Sequence, residues 1–146
     1  MSELMNKLSV ILADTYAIYL KTQNYHWHVK GPQFRALHGL FESQYLALAE
    51  AVDEIAERIL IKGHNAPATF KEYDQLKTIK DGDSNNAAND MVIELANDHS
   101  ALLKDLNAAM DMAQDANDEA TVNLLSNRIE AHEKSRWMLA SSRENA

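Results

Sequence analysis

His38 and Glu42 stand four residues apart, and so do Asp53 and Glu57. At about 100° per residue, the step from Glu42 to Asp53 turns only about 20° around a helix axis, so all four fall on one narrow polar stripe. Imidazole and carboxylate together form a borderline-hard donor set, better suited to Fe(II), Mn(II) or Zn(II) than to Cu(I). At about 1.5 Å rise per residue, however, the two pairs lie about 16 Å apart, so a single helix cannot close both around one ion. A second copy packed antiparallel, with a two-fold axis near residues 47 and 48, would set its Asp53 and Glu57 opposite His38 and Glu42. The symmetry would then make two such sites at once. Leu46 and Ala49 occupy the same face between the pairs, and Ala49 would let two backbones approach closely.

His26 falls on the face of Leu8, Leu12, Tyr19 and Gln23, whereas His28 points about 160° away, so only one of the two can face inward. The Gly31-Pro32 turn brings His26 toward His38, giving two imidazoles and three carboxylates as a candidate ligand set. A lone pair of acids at this spacing is usually a solvated face; two pairs in register, with an upstream His, are harder to dismiss. His99 and His132 also fall on apolar faces, but no acid pair accompanies them, and they read as core histidines with satisfied hydrogen bonds. His64 reads as a solvated loop residue. No Glu is followed three residues later by His, so the di-iron centre of a single bundle, which needs two such motifs, is not expected. With no Cys, thiolate sites, thiol nucleophiles and disulfides are excluded.

The elements that must position these residues are helices. Met5, Leu8, Leu12, Tyr16 and Tyr19 recur at spacings of three and four along a helix from Leu4 to near Val29, stopped by Gly31-Pro32. A second runs from about Phe34 to Ile61 on Leu37, Phe41, Leu48, Val52, Ile55 and Ile59, and Gly63 ends it. A polar connector follows, with a short helix announced by the capping box Thr69-Phe70-Lys71-Glu72 and a turn at Asp81 to Asn85. The third long helix carries Ala88, Met91, Leu95, Leu102, Leu106 and Ala113; after an acidic break at 115–118, the fourth carries Val122, Leu125, Ile129 and Leu139. The fold expected is all-α: one four-helix domain over 1–146, with a crossover and a short extra helix between helices two and three.

The formal net charge of −8 disfavours duplex DNA, whose affinity comes largely from Lys and Arg on phosphates, and suits a protein that draws cations. No stretch reaches the roughly 18 apolar residues of a membrane span, and the start has no basic region before an apolar core, so a cytoplasmic protein is expected.

The stretch Tyr25-His26-Trp27-His28-Val29-Lys30-Gly31-Pro32, then Leu37-His38-Gly39-Leu40-Phe41-Glu42, then Val52-Asp53-Glu54-Ile55-Ala56-Glu57-Arg58, resembles the signature of the Dps family, the mini-ferritins. His132-Glu133-Lys134 with Trp137-Met138-Leu139 resembles that family's last helix. The resemblance implies a ferritin-like bundle and a hollow homo-dodecamer built from two-fold dimers. It implies ferroxidase centres across the dimer interface, with His26, His38 and Glu42 from one subunit and Asp53 and Glu57 from its partner, and up to two irons in each. Many members carry Asp at the position of Glu42. Trp27 stands where the family has a Trp beside the centre, as an electron donor or as interface packing. The implied reaction is Fe(II) oxidation, by hydrogen peroxide in preference to oxygen, with ferric mineral stored in the cavity. Asp115, Asp118 and Glu119 are candidates for an acidic pore, or for an ordinary helix cap; Glu50 and Glu54 are candidates for mineral nucleation, or simply solvated. No Lys/Arg-rich tail is evident, and weak or no DNA binding is expected. Two other readings stand beside this one: a DNA-compacting nucleoid protein with a secondary iron role, and a metal-free structural bundle.

Overall fold

The computed structural model describes residues 2–144. Five helices follow in order: α1 (Glu3–His28), α2 (Phe34–Ile61), α3 (Phe70–Leu76), α4 (Ala88–Asp115) and α5 (Glu119–Ser141). The four long helices and the short one in the connector are those expected from the spacing of apolar residues. Their ends have local causes. The Ser2 hydroxyl accepts from the Met5 amide at 3.2 Å, and the Thr69 hydroxyl accepts from the Glu72 amide at 3.1 Å. Gly31, at φ +109°, makes the turn between α1 and α2 that a residue with a Cβ would strain.

α1 packs on α2, α4 packs on α5, and α1 against α4 joins the two hairpins. Lys7 pairs with Asp105 at 3.3 Å, while Lys21 pairs with Asp98 at 2.9 Å and Glu94 at 3.3 Å, so α4 runs antiparallel to α1. It therefore runs in the direction of α2, and the connector must travel the length of the bundle.

Polar anchors on α1 hold that connector. The buried Asp14 carboxylate accepts from the Thr78 amide at 2.6 Å, the Thr78 hydroxyl at 2.7 Å and the Ile79 amide at 3.1 Å. The Tyr25 hydroxyl donates to Glu94 at 2.7 Å and accepts from the Asp83 amide at 3.2 Å. Gly82 is packed so closely that an added Cβ would sit 3.0 Å from Lys21 Cγ and 3.1 Å from the Tyr25 ring. Most of the core is one apolar cluster running through Leu8, Leu12, Leu48, Ile55, Leu102 and Leu106. A second, at one end of the bundle, gathers Tyr25, Val29, Leu37, Phe41, Met91, Leu95 and Leu139. That second cluster fixes the corner between α1 and α2.

The acidic break into α5 is an N-cap. Asp118 accepts from the Thr121 amide at 3.3 Å and the Thr121 hydroxyl at 2.7 Å, and receives Arg58 at 3.0 Å and Lys62 at 3.1 Å. Burial pushes its carboxyl up, but the hydrogen bonds from Thr121 and Lys62 outweigh that and hold it down at about 2. Asp118 is thus occupied as a cap, which is the reading of the two that the geometry favours over a pore; Asp115 and Glu119 beside it are exposed. Asp118→Ala should lower unfolding stability by about 1–2 kcal/mol, the usual effect of removing a cap, with a further loss from the two cations. Urea titration above pH 5 checks this, and an unchanged midpoint would remove the cap from the account.

Candidate metal centre

The last turn of α1 and the first turns of α2 bring His26 and His38 face to face. Their rings stack with centroids 3.8 Å apart and planes 14° apart. Each ring bonds the other residue's backbone: His26 Nδ1 lies 2.8 Å from the His38 carbonyl oxygen, and His38 Nδ1 lies 2.8 Å from the His26 carbonyl oxygen. A carbonyl oxygen only accepts, so both Nδ1 atoms carry the proton and donate it. In the neutral rings both Nε2 atoms then hold a lone pair. This is the arrangement by which proteins orient metal-ligating imidazoles, with the far nitrogen tied to a backbone carbonyl. His26 is 7% exposed and Phe34 stacks on His38 at 4.9 Å, so neither ring is a freely solvated side chain. His28 is exposed and turned back on Asn24, as its position two residues on requires.

Glu42 follows His38 by one turn, and Asp53 and Glu57 lie farther along α2; all three are exposed. Among the described residues, no three His, Asp or Glu side chains of the single chain lie close enough to hold a metal ion. The fold therefore brings together the two imidazoles and leaves the Asp53–Glu57 pair apart from them. Leu46, on the same face, is 54% exposed. Trp27 is 60% exposed and Phe70 84%, and with Leu20 they border a groove of about 540 Å³ between α1 and α3. Exposed apolar side chains gathered like this mark a surface made to be covered.

Tyr45 belongs to this site and is absent from the sequence reading. Its ring packs against His26 with centroids 5.3 Å apart. It stands seven residues after His38, two turns along the same face, and that spacing was the available signal.

His99 and His132 are in the core, as expected, at 0% and 1% exposure. The expectation that each is fully satisfied needs correction. They bond each other, Nδ1 to Nδ1 at 2.9 Å, and Arg128 lies 3.2 Å from His132 Nε2. The guanidinium donates, so His132 Nε2 accepts, its Nδ1 carries the proton, and His99 Nδ1 accepts that. The remaining proton sits on His99 Nε2, which is buried without a partner. Burial, then the charges of Arg128 and Arg136, lower His99 to about 4; burial, His99 and Arg128 lower His132 well below its ordinary value. Both rings are neutral near pH 7.

A family model described as a ferritin-like domain matches residues 5–145. The DNA protection during starvation protein 2 of Bacillus anthracis is 40% identical over 137 residues, covering 94% of this chain and 92% of that protein. The crystal structure of Dps from Staphylococcus aureus superposes with a TM-score of 0.94 at 32% identity, covering 99% of this chain and 97% of that one. The Dps protein of Vibrio cholerae O1, described as a member of a broad superfamily of ferritin-like diiron-carboxylate proteins, superposes with a TM-score of 0.92 at 32% identity. There the match covers 95% of this chain and 87% of that one.

Proposed function

This chain belongs to the Dps family within the ferritin-like superfamily, and from that premise we propose that it oxidises Fe(II) with hydrogen peroxide at centres shared between two copies. The observation that carries the proposal is the crossed pair of hydrogen bonds that presents a free lone pair on both His26 Nε2 and His38 Nε2. Two nitrogens alone do not complete an iron site. Glu42 of the same chain, with the acids at positions 53 and 57 of a second copy, supplies the carboxylates. The groove bordered by Leu20, Trp27 and Phe70, and the exposed Leu46, support a covering copy on this side. In this reading residues 1–146 form one ferritin-like domain, the dimers assemble into a hollow dodecamer, and ferric mineral collects inside it, in the cytoplasm.

Iron is the substrate, and the residues act on it as donors. Carboxylates bind Fe(III) more strongly than Fe(II) and so favour its oxidation. Two Fe(II) give one electron each to one peroxide, which takes up two protons and leaves as two waters. Drawing both electrons at one site avoids the single-electron step that frees hydroxyl radical. The larger reach of Glu42 compared with Asp bears on the second iron, and Trp27, next in sequence to His26, is a candidate electron donor. Protection of DNA, which the relatives' names describe, then comes from removing the two reagents of that radical chemistry. The net charge of −8 speaks against coating the duplex.

The test is to mix protein with Fe(II) and peroxide anaerobically. Consumption of two Fe(II) per peroxide, with spin-trapped hydroxyl radical well below the protein-free reaction, is the expected result. Oxidation no faster than in buffer would leave a metal-free bundle as the better reading. Retardation of duplex DNA at physiological salt would favour the nucleoid reading instead.

A further inference from the structure

We propose that Arg128, Arg136 and Ser100 hold a small tetrahedral oxyanion, of the inorganic phosphate class, at the seam between α4 and α5. Two guanidiniums end at the buried His99–His132 pair. Arg128 and Arg136 stand about one helical turn before and after His132 on α5. Arg128 donates to His132 Nε2 at 3.2 Å. Arg136 donates at 3.4 Å to the hydroxyl of Ser100, the neighbour of His99 on α4. The charges of both arginines lower the His99 pKa, so both act on the same ring.

Nothing on the chain balances those charges. Asp and Glu outnumber Lys and Arg by 22 to 14, so acids are not scarce. Yet among the described residues no carboxylate pairs with either guanidinium, whereas Arg58 pairs with Asp118 at 3.0 Å. Glu54, exposed on α2, acts on Arg128 only through space, and the effect of burial outweighs it. Of the guanidinium's N–H donors, one goes to His132, and Nε is buried with no partner. The imidazoles offer no relief, because His99 Nε2 is a second buried donor without an acceptor. The cluster therefore joins two positive charges and two orphan donors, with no acid to meet them.

A buried charge and an unmade buried hydrogen bond both cost stability until a group of opposite sign arrives. Water would satisfy a donor but leave the charge. A halide would balance charge but waste the planar fork, whose spacing matches two oxygens of one oxyanion. The Ser100 hydroxyl accepts from Arg136, and its own O–H remains to donate to such an oxygen. These groups belong to both α4 and α5, so an anion held by them ties that hairpin together. Binding only the folded chain, it stabilises that state. The cluster shares no residue with the His26–His38 corner, and the inference stands apart from the iron reading.

The experiment is equilibrium dialysis of radiolabelled inorganic phosphate against the assembled protein, stripped of iron, at pH 7.5 and constant ionic strength in chloride. Saturable binding of one phosphate per chain is expected, with a rise in the urea midpoint over the same concentrations. Arg128→Lys keeps the charge and removes the fork; Arg136→Gln removes a charge from a half-buried position and spares the core. Each should weaken binding by about tenfold or more, the effect of losing a hydrogen bond to a charged group. Peroxide-dependent Fe(II) oxidation in phosphate-free buffer should be unchanged in both. No saturable binding to the wild type, or equal binding by wild type and Arg136→Gln, overturns the site. Competition by glycerol phosphate as strong as that by inorganic phosphate overturns the free ion in favour of an ester.

Discussion

Chains carrying His38→Ala and chains carrying Asp53→Ala should each oxidise iron poorly, and co-assembly of the two should restore activity that neither has alone. In the proposed centre each variant would lose a direct ligand, so each loss should exceed the roughly 10- to 100-fold effect of removing a group that only orients a ligand. In a mixed dimer, the altered His38 and the altered Asp53 meet at one centre, while the other centre keeps its full ligand set. Random pairing makes about half of the dimers mixed, and each has one intact site of two, so about a quarter of the sites should recover. Unfolding, mixing and refolding the two variants at equal concentration, followed by peroxide-dependent Fe(II) oxidation, measures this directly. If the mixture performs no better than the mean of its parents, the ligands do not come from two chains.

The second large effect is acid lability with its own pH window. His99 and His132 are neutral in the folded protein, and the lowered pKa means that the unfolded chain binds protons first. Above the ordinary value of 6.5 the rings are neutral in both states and contribute no pH dependence. Between 6.5 and about 4 the unfolded state gains protons that the folded state refuses, so stability should fall throughout that interval. At about 1.4 kcal/mol per pH unit, His99 alone accounts for about 3 kcal/mol, and His132 adds to it. Asp118 acts lower: its depressed carboxyl gives stability that is present above its ordinary 3.8 and lost as pH falls toward about 2. Asp98, raised by burial against the pull of Lys21, works in the opposite sense over its own range, gaining relative stability as it protonates. Urea unfolding at half-unit steps from pH 8 to 4 checks the prediction. A level free energy between 6.5 and 4 would show that the pair does not stay neutral in the core.

Local signals carried most of the architecture. The capping box at Thr69, the Gly31-Pro32 turn and the three-and-four spacing of apolar residues place the elements within a residue or two, while the Ser2 cap emerges only in the structure. The choice of His26 over His28 as the inward ring also came from spacing alone. What spacing could not reveal was pairing across the fold. His99 and His132 each sit on an apolar stripe, but nothing along the chain says that residues 33 positions apart share one proton. Asp14 reads as a stray acid in a core stripe until Thr78 and Ile79 arrive from the connector to bond it. Tyr45 looks like one more aromatic on a helix face, and its importance depends on which ring it touches. The acids at 53 and 57 are the opposite case: their helical register was legible, and the helix holds it, but their proposed partners lie on another chain.

The crossed bonds between His26 and His38 have a mechanical consequence. Turning either ring about its Cβ–Cγ bond gives up its hydrogen bond to the neighbour's backbone carbonyl and also its stacking on the neighbouring ring, and the stack couples the two rotations. The corner between α1 and α2 then behaves as one rigid body: order at either helix end is imposed on the other. In the proposed centre a cation would meet donors already aimed, and little of its binding energy would go into arresting loose side chains.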